Sequence, residues 1–155
     1  MSALKYVLAA LAFVFMAVMY LSGVTPQTSL SDVSESLAAV ESVQALEQEN
    51  AQEIVRYLGI YPEDCKEIHY WKSSDGMNAS EVAIAEAADS DQVSALQTAF
   101  KQRVSDQETA FSGYAPEQEA KLASYVLKTK GNYVFYAVGS VEELAAWEAV
   151  FDGIQ

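Results

Sequence analysis

One cysteine, one histidine and three prolines are all that this 155-residue chain has of those types, and 9 Lys and Arg face 22 Asp and Glu. A single thiol, Cys65, excludes a disulfide-stapled domain and any zinc site built from several cysteines. A single imidazole, His69, offers one member of a Ser-His-Asp arrangement and one of the three or four ligands of a zinc centre. The shortage of bases gives a net charge of −13 and a pI near 4.3. Such a surface argues against nucleic acid, whose phosphates are held by Lys and Arg. There is no Gly-rich phosphate loop, EF-hand pattern or paired Cys. Nothing in the chain calls for a cofactor, a metal or a set of catalytic residues.

The remaining scarcity is positional. No charged residue stands between Lys5 and Asp32. Tyr6 to Leu21 is apolar throughout, and Ser22, Gly23 and Val24 extend the run to 19 residues. That is close to the ~20 needed to cross a hydrocarbon core of about 30 Å. Tyr6 and Tyr20 supply the aromatic flanks expected at the two interfaces. Residues 1–24 are therefore read as an uncleaved transmembrane signal anchor, 25–31 as a polar linker and 32–155 as an extracytoplasmic domain. Cleavage after Gly23 would place bulky Leu21 where a small residue is needed, and cleavage after Thr25 would leave Pro26 behind the bond. A secreted form remains the alternative. Lys5 precedes the span and the nearest base after it is Arg56, so the N-terminus is expected in the cytoplasm of a single-pass membrane protein.

Beyond the linker the chain is patterned. Leu30, Val33, Leu37, Val40 and Val43 recur at helical spacing, and Ile54, Val55 and Leu58 resume the stripe after the polar stretch Glu47–Asn50. This predicts one interrupted helix or two, lying on the domain or standing as a membrane-proximal stalk, with Gly59 as its end. Strands are expected over 67–72 and 80–86. A long helix comes next, N-capped by Asp89 with Gln92 in the capping-box position and carrying Val93, Leu96, Phe100, Val104, Gln107 and Phe111. Pro116 opens a short helical turn. Residues 124–129 and 133–138 form a hairpin around Gly131-Asn132. Ser140, with Glu143, caps a last helix bearing Leu144, Trp147, Val150 and Phe151. The order α-β-β-α-β-β-α predicts an α+β fold. The domain is expected in two layers, with helices on one side of a four-stranded, mainly antiparallel sheet.

Several segments together resemble a known family. Tyr57-Leu58-Gly59-Ile60 before Pro62-Glu63-Asp64, Met77 to Ile84, Arg103 and Gln107 with Phe111, Gly113, Tyr114 and Pro116, and Lys130 to Val134 are similar, in order and spacing, to the family known as domain of unknown function 4358. The resemblance runs from about residue 50 to the end. It implies a small membrane- or lipid-anchored envelope domain of Gram-positive anaerobes, with no assigned activity.

Candidate sites come from residues set against their surroundings. Glu81 opens an apolar strand, where a charge is costly unless paired. Arg103, bordering the apolar stripe of the central helix, is its expected partner in an internal ion pair. Gln107 falls within the stripe, so its amide either ties down a loop or lines a small pocket beside Arg103. Tyr114 is placed to close that pocket. Tyr133, Phe135 and Ala137 share one hairpin face and Val134, Tyr136 and Val138 the other. If helices cover only one face, Tyr133 and Phe135, with Trp71 or Tyr70 adjoining, present aromatic surface for binding; otherwise the first helix or the stalk lies across it. The leading expectation is a non-enzymatic binding or adaptor module with an envelope protein partner. The alternative is a carboxylate-dependent envelope hydrolase using Glu81 and a second acid.

Overall fold

The computed structural model describes residues 28–154. The expected anchor, residues 1–24, lies outside the described residues, and among those described no helix is long and apolar enough to cross a membrane. The chain forms α1 (Leu30–Ala38), α2 (Glu41–Gln44), β1 (Glu47–Gln48), α3 (Ala51–Leu58) and a 3-10 turn at Pro62–Asp64. After these come β2 (Glu67–Lys72), β3 (Glu81–Glu86), α4 (Ser90–Phe111), α5 (Pro116–Ala123), β4 (Val126–Lys130), β5 (Tyr133–Val138) and α6 (Val141–Asp152). Ser29–Gly153 is one compact unit. α1 takes in Leu30 and Ser31, which the sequence pattern placed at the end of the linker.

The helix boundaries have local causes. Ser29 Oγ accepts from Asp32 N, and Asn50 Oδ1 accepts from Gln52 N and Glu53 N, so two orphan helix starts are satisfied by side chains. Asp89 caps α4 through Gln92 N, while Gln92 Oε1 accepts from Ala88 N at 2.5 Å. Ser140 and Glu143 form a reciprocal capping box on α6. Gly59 ends α3 at φ 65°, a conformation that costs a side chain with a Cβ.

Two expectations about the architecture need correction. The sheet has five strands, ordered β1-β2-β3-β5-β4, and every neighbouring pair is antiparallel. The additional strand is the polar interruption itself: Glu47 pairs with Lys72 and Gln48 with Trp71. Two residues are too few to show a strand period, so the sequence displays only a gap between helices. The second correction concerns layers. α3, α4 and α5 pack one face, around Tyr70, Ala83, Ala85, Val134 and Tyr136. The opposite face is covered as well: Phe135 stacks on Phe151 of α6 at 5.0 Å, and α1 packs against α6 and β3. The domain is thus helix, sheet, helix. β3 and β5 are buried along nearly their whole length, as strands covered on both faces must be. α1 is no stalk, since Leu30, Val33 and Leu37 are all buried in the domain.

Candidate functional site

Strand register and helix period bring one charge into the interior. Glu81 pairs with Lys72 on one side and Val138 on the other, and its side chain shares a face with Ala83 and Ala85, the face that α4 covers. It is 1% exposed. A buried carboxylate costs several kcal/mol unless its oxygens are filled, and here both are. Tyr136 OH donates to Oε1 at 2.6 Å and Tyr70 OH to Oε2 at 2.7 Å. The expected ion pair with Arg103 forms: Nε reaches Oε1 at 3.1 Å and Nη2 reaches Oε2 at 2.8 Å, a two-pronged contact. Nη1 stays outside this pairing. Burial by itself would lower the Arg103 guanidinium, but the hydrogen bonds and charge of Glu81 outweigh it and hold the group above its ordinary value. Burial, reinforced by the Glu81 charge, pushes both tyrosine hydroxyls well up. Phe100 stacks on Tyr136 at 4.8 Å and fixes that hydroxyl from the helix side.

Above this base opens a cleft of about 230 Å³. Tyr57, Lys72, Asp75, Gln107, Phe111 and Tyr114 contribute to its walls, with Glu81 and Arg103 among them. Gln107 lies one helical turn beyond Arg103, on the same face of α4. It is 5% exposed, and its Nε2 is buried with no hydrogen-bond partner among the described residues. Buried amide groups left unpaired are rare in folded proteins. Tyr57 projects its ring among bases: Lys72 Nζ lies 4.7 Å from the ring centroid and the Arg103 guanidinium 5.2 Å. Lys72 also bonds the Ser73 carbonyl at 2.9 Å and faces Glu49 at 3.7 Å. Tyr114 is 57% exposed at the rim.

A family model described as domain of unknown function 4358 matches residues 39–139. The chain belongs to this family. No curated protein and no solved structure matches it. The matched span of this 4358-family domain contains all five strands, α4 and every residue of the cleft, whereas α1 and α6 lie beyond its two ends.

Of the seven residues singled out in the sequence, Glu81, Arg103, Gln107 and Tyr114 meet in this one cleft of the family domain. Trp71, Tyr133 and Phe135 do not. Phe135 is wholly buried under Phe151, Trp71 is 4% exposed and Tyr133 8% exposed. The expected aromatic surface is therefore not open, because α1 and α6 fill the face that an uncovered sheet would present. His69 sits half-buried on β2, against Glu67 at 2.6 Å and stacked on Trp71. Cys65 is half-buried, and burial, with the Asp64 charge beside it, pushes its thiol up, away from reactivity. Among the described residues no three His, Cys, Asp or Glu side chains gather to hold a metal ion.

Four residues at the site were not expected there from the sequence pattern: Tyr57, Tyr70, Lys72 and Tyr136. Tyr136 carried a signal, since alternation along β5 turns it opposite to Phe135. Tyr70 and Lys72 needed the β2–β3 register, which sequence alone does not fix. A second polar cluster lies beside the cleft. Lys121 Nζ donates to Ser80 Oγ and to Asn78 Oδ1, both at 2.9 Å, and Ser80 Oγ donates to Glu143 Oε2 at 3.1 Å. Although a serine next to a lysine has the makings of a nucleophile and its base, Ser80 is 1% exposed and its hydroxyl is engaged on both sides. The cluster pins α5 and α6, from opposite layers, to the start of β3.

Proposed function

We propose that this domain is a non-enzymatic binding or adaptor module, held at a bacterial cell membrane by the apolar N-terminal segment and working on the outer side. Its partner would be another envelope protein. The 19-residue apolar run and the single base before it support that placement. The binding reading rests on one observation: Gln107 Nε2 stands buried and unpaired in the wall of a cleft. A ligand carrying a hydrogen-bond acceptor would complete it, with the free edge of Arg103 as a second donor. The hydrolase alternative loses its main support. Both oxygens of Glu81 are held by Tyr70, Tyr136 and Arg103, so this carboxylate is placed neither to attack nor to pass a proton.

Fragment titration tests the reading. Acetamide, acetate, methylamine and glucose are titrated into isotope-labelled protein while the side-chain amide signal of Gln107 is followed. Acceptor-bearing fragments should shift that signal, and the shifts they cause in the backbone amides of Arg103 and Phe111 should vanish in Gln107→Leu. No response to acetamide, or an equal response to methylamine, would overturn the assignment.

A further inference from the structure

The cleft does not end at Tyr114. On the far side of that ring a second groove of about 440 Å³ runs between Met77 and Pro116, with Ala115, Glu117 and Gln118 in its walls. Tyr114 belongs to both. Met77 and Tyr114 are 56% and 57% exposed, two of the few large apolar side chains left in water. A subsite with an unpaired amide thus adjoins one where exposed Met77 and Pro116 stand beside Glu117 and Gln118, and both have mixed walls. Methionine adapts to varied partners, which suits it to peptide surfaces.

Charge narrows the occupant further. The Arg103 charge is matched by Glu81 and the Lys72 charge by Glu49. Asp75 and Glu117, both exposed, stand at the two grooves. The whole chain carries −13. Lys121, bonded to Asn78 and Ser80 in the cleft wall, adds one positive charge there, but Asp75, Glu117 and the field of the whole chain repel an anion. A neutral acceptor fits, and the carboxamide of Asn or Gln fits best: Gln107 carries a donor and an acceptor on one planar group, and so does the ligand.

We propose that the joined grooves bind an extended, basic peptide segment of a partner protein. An Asn or Gln side chain enters the cleft to pair with Gln107, an adjacent apolar side chain lies on Met77 and Tyr114, and flanking Lys or Arg face Asp75 and Glu117. The proposal rests on the binding reading above and adds the class of ligand. A neutral glycan would leave the exposed carboxylates of Asp75 and Glu117 without a counter-charge, which a basic peptide supplies.

The test uses four probes against the labelled protein: acetyl-Lys-Gln-Leu-Lys-amide, the same peptide with Ala for Gln, the same peptide with Glu for both Lys, and chitobiose. The first should shift the Gln107 amide and the Met77 methyl together. The Ala peptide should bind about tenfold more weakly, as expected when a buried amide loses its partner. Raised salt should weaken the first peptide, because its Lys contacts are screened. Equal binding of the acidic peptide, equal or tighter binding of chitobiose, or an unmoved Met77 methyl would overturn the peptide proposal. If acetamide still shifts Gln107 in those cases, the cleft remains a binding site and only the peptide assignment falls. If nothing shifts Gln107, both fall together.

Discussion

Glu81 keeps a carboxylate 1% exposed among Tyr70, Tyr136 and Arg103, each of which donates to it. Truncating one partner of such a pair leaves a charge buried without its counterpart, which typically costs about 3–5 kcal/mol. Arg103→Met should therefore lower unfolding stability by about 3 kcal/mol in urea, and Glu81→Gln in the same chain should restore part of the loss. Purely additive losses in that double-mutant cycle would show that the two side chains do not act as a unit. The tyrosines add a pH dependence. Burial first, then the Glu81 charge, raises both hydroxyls well above their ordinary 10.0. Below that value both folded and unfolded chains keep the protons. Above it the unfolded chain releases them while the folded chain retains them, so stability falls as pH rises. The urea midpoint should drop steeply above pH 10.0, and less steeply in Tyr70→Phe. The same slope in both proteins would contradict this. The ion pair was legible in the sequence because a charge opening an apolar strand demands a partner, and Arg103 was the base bordering the facing stripe. The tyrosines were not, since their approach to Glu81 depends on how three strands are aligned.

Among the elements, the helices and the four longer strands follow from apolar spacing, caps and the Gly131-Asn132 turn. β1 does not, because two polar residues pairing with Lys72 and Trp71 leave no periodic trace. For the second face the sequence offered the first helix as a cover. Continuous apolar runs in β3 and β5 state that both faces are buried, but nothing in them showed that α6 joins α1 there. α6 is the cover over Phe135. Phe151→Ala should cost about 3–5 kcal/mol, the usual loss for a large aromatic removed from a core. A change under about 1 kcal/mol, typical of surface positions, would mean that the face is open after all. The start of α6 is tightly fitted. A Cβ on Gly139 would meet Glu143 Oε2 at 2.9 Å and Trp147 at 3.0 Å. Gly139→Ala should displace the Glu143 carboxylate from Ser80 and Ser140 N, lowering stability by about 1–3 kcal/mol. A thermal melt checks this, and an unchanged midpoint would show that the cap adjusts freely.

Over the whole molecule, the net charge of −13 is set by residues 32–155, which hold all 22 acids, because Lys5 is the one charged residue before Asp32. The family resemblance and the anchor pattern were readable from sequence, whereas the unpaired amide was not: burial of Gln107 could equally have tied down a loop. If the proposed anchoring holds, the full chain should sediment with membranes and resist extraction by alkaline carbonate, and a chain beginning at residue 28 should not. Release of the full chain by carbonate would count against a spanning segment. The central claim is that Gln107 stands unpaired for a ligand's sake, and the unfolding stability of Gln107→Leu without ligand tests it most directly. Removing a buried, unsatisfied polar group in favour of an apolar one of similar size should leave the domain as stable as before, or more stable by about 1 kcal/mol. A loss of about 1 kcal/mol or more would mean that the amide is already bonded within the fold, and would contradict the claim.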